Sequence, residues 1–122
     1  MGVGYGLVNQ TRREFVMYRH LGASKAAEIA GNPGAAAVTA WYMLQCRGDR
    51  IAFVSDTYGE WPFPSGRLED LEGYEEVTDR IVSELIAAGI LRDDGIAWAD
   101  PEEPKTIYIR ALTNIWMGGD DA

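Results

Sequence analysis

"YEEVTDRIVSELIAAGIL", residues 74–91, is the stretch from which the fold can be read outward. Val77, Ile81 and Leu85 recur at helical spacing with Val82 and Ile86 beside them, so the run predicts an amphipathic helix with one apolar stripe facing a core. Glu75 and Glu76 fall where the positive end of its dipole would favour acids, and Glu76–Arg80 and Arg80–Glu84 are spaced to pair on the wet side. Gly89 predicts the stop, with Ile90 folding back on the last turn.

Downstream, "ILRDDGIAW" (90–98) sets Asp94-Gly95 where a tight hairpin turn between Ile90-Leu91 and Ile96–Trp98 is expected. "DPEEP" (100–104) interrupts, and "KTIYIRAL" (105–112) alternates as a strand. "SELIAAGILRDDGIAW" followed by "KTIYIRAL" resembles, in outline, the last helix and wing of a winged-helix domain. A DNA reader of that kind needs a positive helix, whereas "YEEVTDRIVSEL" is net acidic and would be repelled by phosphate.

Upstream, "RIAFV" (50–54) is an unbroken apolar run, which predicts a strand inside the sheet rather than at its edge. Before it, Asn32-Pro33 reads as an N-cap and first helical residue, opening a helix over 33–47. That helix is apolar around most of its circumference, and the pattern predicts cover on more than one side. Ser24 is placed to cap a shorter helix, "SKAAEIA", that ends at Gly31. "YGLVNQTRREFVMY" (5–18) reads as a β-hairpin with its turn near Asn9–Arg13. Gly2, Gly4 and Gly6 enter a strand instead of linking strand to helix, so they are no dinucleotide fingerprint.

The order ββ-αα-β-α-ββ predicts an α+β fold: a single domain over residues 1–117, with a mostly antiparallel sheet of about five strands carrying three helices. Residues 118–122 are expected to fray. A chain of 122 residues that is 47% hydrophobic and 25% charged suits one cooperative core. One cysteine, Cys46, excludes an internal disulfide, and the absence of a leader-like start or a membrane-length apolar run predicts a cytoplasmic protein.

Charge divides unevenly. Residues 1–54 hold six basic and three acidic side chains (+3), whereas 55–122 hold five basic and sixteen acidic (−11). This disfavours nucleic acid and anionic membranes as partners and favours a basic protein surface. Chemistry is sparse: Cys46 and His20 show no nucleophile–base spacing, the carboxylates show no calcium-loop or zinc pattern, and no cofactor motif occurs. A non-enzymatic role is the expectation.

Between the two halves lies "SDTYGEWPFPSG" (55–66), in which Pro62 and Pro64 stiffen a loop bearing aromatic rings. Asp56, Tyr58, Glu60, Trp61, Phe63, Glu69, Asp70 and Glu72 together describe an aromatic centre in an acidic rim, the usual anatomy of a protein-binding patch. The expected function is therefore a small inhibitory module occluding a basic partner, with a bacterial immunity protein against a nucleic-acid-targeting toxin as the plausible role. Two alternatives stand beside it. One is a small enzyme or ligand-binding domain with a pocket near Asp56 and the Pro33 helix start, completed by His20, Tyr108 and Arg110; the other is a structural subunit or homodimer using Trp98 and Trp116.

Overall fold

Leu7, Val16 and Tyr18 project from one face of a β-hairpin and are almost wholly buried, so the hairpin is where the core begins. The structure is a computed structural model that describes residues 4–55 and 61–116. Strands β1 (Tyr5–Asn9) and β2 (Glu14–Met17) form that hairpin. A 3-10 turn at Arg19–Leu21 leads to helix α1 (Ala26–Gly31) and helix α2 (Pro33–Gln45), and strand β3 (Ile51–Ser55) returns beside β1. After a 3-10 segment at Leu68–Gly73 come the two-residue strand β4 (Glu75–Glu76), helix α3 (Thr78–Ala87) and strands β5 (Leu91–Ala99) and β6 (Tyr108–Asn114). The class is α+β. The strands divide into a mixed sheet of order β3-β1-β2-β4 and a separate antiparallel β5-β6 ribbon.

The apolar stripe of α3 forms as its spacing requires: Val77, Ile81, Val82 and Leu85 are buried against Val16, Val38 and Tyr42. Each such side chain removed from water stabilises the fold by roughly 1.5–3 kcal/mol. The helix ends in a full Schellman pattern, with Ile90 N–H donating to Leu85 O (3.0 Å), Gly89 N–H donating to Ile86 O (3.1 Å) and Gly89 at φ 77°. Its start differs from the sequence reading. Glu75 and Glu76 lie outside the helix, pairing in parallel with Glu14 and Phe15, and Glu76 reaches Arg19 (3.5 Å) instead of Arg80. Arg80 bridges Glu14 (3.1 Å) and Glu84 (3.7 Å). Backbone hydrogen bonds from Glu75 N to Arg13 O and Val77 N to Phe15 O explain the shift, since they satisfy those N–H groups on the sheet.

The start of α2 forms as expected, with Asn32 Oδ1 accepting from Ala35 N–H at 2.9 Å. The helix is covered on more than one side, packing against α1, α3 and β6 with Gly34, Ala35, Val38 and Tyr42 buried, while Met43 and Leu44, the latter 66% exposed, leave an apolar strip outward. On α1 the capping acceptor is Glu28 Oε1, which receives the backbone N–H groups of Ser24 (3.0 Å) and Lys25 (3.2 Å).

Strand β3 sits at the sheet's edge, not its interior. Ile51 and Phe53 face the helices while Ala52 and Val54 face the other side, where Leu68 and Leu71 lie, so apolar residues on both faces do not require a central strand. Asp94-Gly95 is likewise no hairpin turn. β5 runs continuously through it with register irregularities, and Gly95 at φ 94° absorbs the distortion. The reversal to β6 falls instead in residues 100–107, where Asp100 Oδ1 accepts from Glu102 and Glu103 N–H. Among the described residues no helix is long and apolar enough to cross a membrane.

Candidate functional site

Two donors converge on one carbonyl in the loop after β3. Trp61 Nε1 and Gln10 Nε2 each donate to Ser65 O at 2.8 Å, closing the loop on itself and tying it to the β1–β2 turn. Gly66 permits this with φ 77°; a Cβ there would lie 2.8 Å from Asp70 Oδ2 and 3.2 Å from Gln10 Nε2. Asp70 Oδ2 accepts the Arg67 N–H at 3.0 Å and starts the 3-10 segment. On this base the rings of Trp61 and Phe63 stand 5.1 Å apart at 59°, each half-buried. They are neither plugged into the core nor fully displayed.

Asp56, Tyr58 and Glu60 lie outside the described residues. Of the other sequence-predicted residues, Trp61, Phe63, Glu69, Asp70 and Glu72 are brought onto one continuous segment. Glu69 and Glu72 are exposed and make no ion pair among the described residues, while Asp70 is engaged as a cap. Many other acids are consumed internally. Asp79 and Asp93 flank Arg110 at 3.1 and 3.2 Å. Glu84 Oε1 accepts from Gln45 (2.6 Å) and Trp41 Nε1 (3.0 Å), and the Gln45 bond above all holds its carboxyl below the usual range.

The residues considered for a catalytic or ligand pocket have structural partners. His20 stacks on Tyr108 with ring centroids 3.9 Å apart, and its Nδ1 lies 2.9 Å from Tyr108 O. Arg110 is held by its two aspartates, and Cys46 is buried in the core. At the start of α2 Gly34 is buried, and a Cβ there would be 3.6 Å from Leu112 Cβ, so β6 covers that end. Among the described residues no group of three or more metal-ligating side chains converges.

Two concavities went unread in the sequence. An apolar groove of about 400 Å³ runs between α1, α2 and the β3 edge, walled by Tyr5, Ile29, Ala36, Ala40 and Phe53. A polar cleft of about 520 Å³ opens between the β1–β2 turn, Arg50 and the 3-10 segment. Neither is signalled by a motif, because each is assembled from residues far apart in the chain. No known family model, curated protein or solved structure matches this chain.

Proposed function

We propose that the chain is a small acidic protein-binding module that covers a basic site on a partner protein in the cytoplasm. The carrying observation is the Trp61–Phe63 pair, half-exposed on a loop pinned twice through Ser65 O and followed directly by the open carboxylates of Glu69 and Glu72. Rings fixed before contact lose little entropy on binding, and unpaired carboxylates raise the encounter rate with a positive surface. An enzyme acting on nucleic acid must carry such a surface. Inhibition of a nuclease or deaminase toxin, the task of a bacterial immunity protein, is the role that joins these features.

The test is a titration against a purified basic toxin domain encoded beside this chain. A one-to-one complex that weakens as salt rises, and that is lost in the combined Trp61→Ala, Glu69→Lys, Glu72→Lys variant, is expected. An affinity unmoved by those three changes would remove this face from the account.

A second reading, a self-associating subunit, is favoured by the outer face of the β5-β6 ribbon and the residue beyond it. Ile96 and Trp98 are 57% and 50% exposed on the ribbon, and Trp116, beyond its Leu91–Asn114 end, is 71% exposed, so large apolar side chains are open at both ends of the ribbon. Sedimentation of the wild type and Trp98→Ala decides it: a wild type that stays monomeric at high concentration ends this reading.

A further inference from the structure

Arg12, Arg19, Arg80, Arg92 and Arg110 all pair with carboxylates, as expected in a chain of net charge −8. Arg13, Arg47, Arg50 and Arg67 make no ion pair among the described residues, and of these Arg13 and Arg50 line the polar cleft together, with Gln10, Thr11, Asp70 and Tyr74 completing the wall. Two further observations mark the same spot. Gln10 Oε1 is buried there without a donor, although its Nε2 is committed to Ser65 O and so fixes the amide orientation. Arg13 holds a left-handed φ of 58°, which a glycine or asparagine would adopt at less cost, and its guanidinium lies 5.7 Å from the Tyr74 ring centroid. Unpaired cations, an orphaned acceptor and local strain in one concavity are the usual signs of a site built for a ligand.

We propose that this cleft binds a carboxylate with an N–H group on the adjacent carbon, as found in a free amino acid or at the C-terminal residue of a peptide. Arg13 and Arg50 take the carboxylate, since guanidinium matches its two oxygens in a planar fork. The neighbouring N–H would donate to Gln10 Oε1, the acceptor that has no donor of its own; because that oxygen is buried, the contact requires the Gln10 side of the cleft to open on binding. Charge selects the class. With Asp70 in the wall, the two arginines leave one net positive charge, which suits a singly charged carboxylate better than a phosphate dianion. The cleft shares Gln10 and Asp70 with the base of the Trp61–Phe63 loop, but the arginines that take the carboxylate lie on the β1–β2 turn and before β3, so their substitution tests this site apart from the rings.

The experiment is an NMR titration of the full chain with alanine, N-acetyl-alanyl-alanine, the C-terminal amide of that dipeptide, and inorganic phosphate. The free-acid dipeptide or alanine is expected to shift the Gln10 side-chain amide and the backbone signals of Arg13 and Arg50, and which of the two binds more tightly identifies the source. The amide should bind at least about tenfold more weakly, having lost the charge-assisted pair. Arg50→Gln should lose a similar factor, whereas Arg12→Gln, whose partner is Asp49, should not. Equal binding of acid and amide, preference for phosphate, or no shift at these residues overturns the assignment. The wild-type shift map decides even if a variant fails to fold.

Discussion

Asn9 and Asp49 are joined by a 2.9 Å hydrogen bond from Asn9 Nδ2 to Asp49 Oδ2, across forty residues of chain, with Asn9 completely buried. Asn9 Oδ1 accepts the Arg12 N–H at 3.0 Å, so one side chain fixes both the β1–β2 turn and the connection from α2 to β3. Asn9→Ala is expected to cost about 1–3 kcal/mol, read as a lower urea midpoint, because it strands the Arg12 N–H and strips a partner from Asp49. Asn9→Asp should cost more at neutral pH, as it sets two carboxylates against each other.

Acid should unfold the protein through the same contact. The Asn9 amide, with Arg12 behind it, holds Asp49 below its ordinary value of 3.8. The Gly95 N–H and then Arg110 do so for Asp93, and Arg92 and Thr113 for Asp94. Folded carboxyls with depressed pKa values bind protons less readily than unfolded ones, so their contribution is present above about pH 4 and lost as pH falls further. Urea midpoints should be flat between neutrality and about pH 5, then drop, with a shallower drop in Asp49→Asn.

At the alkaline end the sign reverses. Burial, partly offset by the hydroxyl of Thr39, pushes Tyr18 up to about 12 from 10.0. The unfolded chain therefore ionises first, and stability present below pH 10 is lost between 10 and 12. Tyr18→Phe should flatten this limb without abolishing it, since Tyr42, buried and bonded to Glu14, shifts the same way.

Arg13→Gly and Arg13→Ala both delete the guanidinium, yet only glycine relieves the left-handed backbone. The glycine variant should be more stable than the alanine variant by about 1 kcal/mol in urea denaturation.

Gly66 and Gly89 share a φ of 77° but differ in surroundings. A Cβ at Gly89 meets nothing within 4 Å, whereas one at Gly66 meets Asp70 Oδ2 at 2.8 Å. Gly89→Ala should cost about 1 kcal/mol from backbone strain alone. Gly66→Ala should add displacement of the Asp70 cap and a change in Trp61 fluorescence; an unchanged spectrum would show the loop unaffected.

Where local periodicity and packing agree, the sequence was legible. The stripe on α3, the glycine stop at Gly89, the Asn32-Pro33 helix start and the first hairpin all follow from residues within a few positions of one another. What required the whole chain was not legible. The edge position of β3 depends on where β2 and β4 pair, and Asp94-Gly95 suits a turn or a bulge equally until β6 is in place. The candidate patch was visible as composition, with Trp61, Phe63, Glu69 and Glu72 close in sequence. Its anchoring through Gln10 was not, because that contact spans fifty-five residues. The arginine cleft was not legible either: residues 1–54 are net basic, but nothing local shows that Arg13 and Arg50, thirty-seven positions apart, meet in one concavity.

The outer row of β3 has one further consequence. Gln10 N–H donates to Arg50 O (2.8 Å), and with Val8 opposite Ala52 and Gly6 opposite Val54 this phase turns the amides of Ile51 and Phe53 away from β1. Heating that loosens α1 would widen access to this row, and Phe53, already 40% exposed, offers a hydrophobic grip beside it. Thermal unfolding should therefore become irreversible as concentration rises, through strand-to-strand stacking of partly opened molecules. Phe53→Lys should delay the onset of light scattering, a defence that Arg50 supplies only at the strand's entrance.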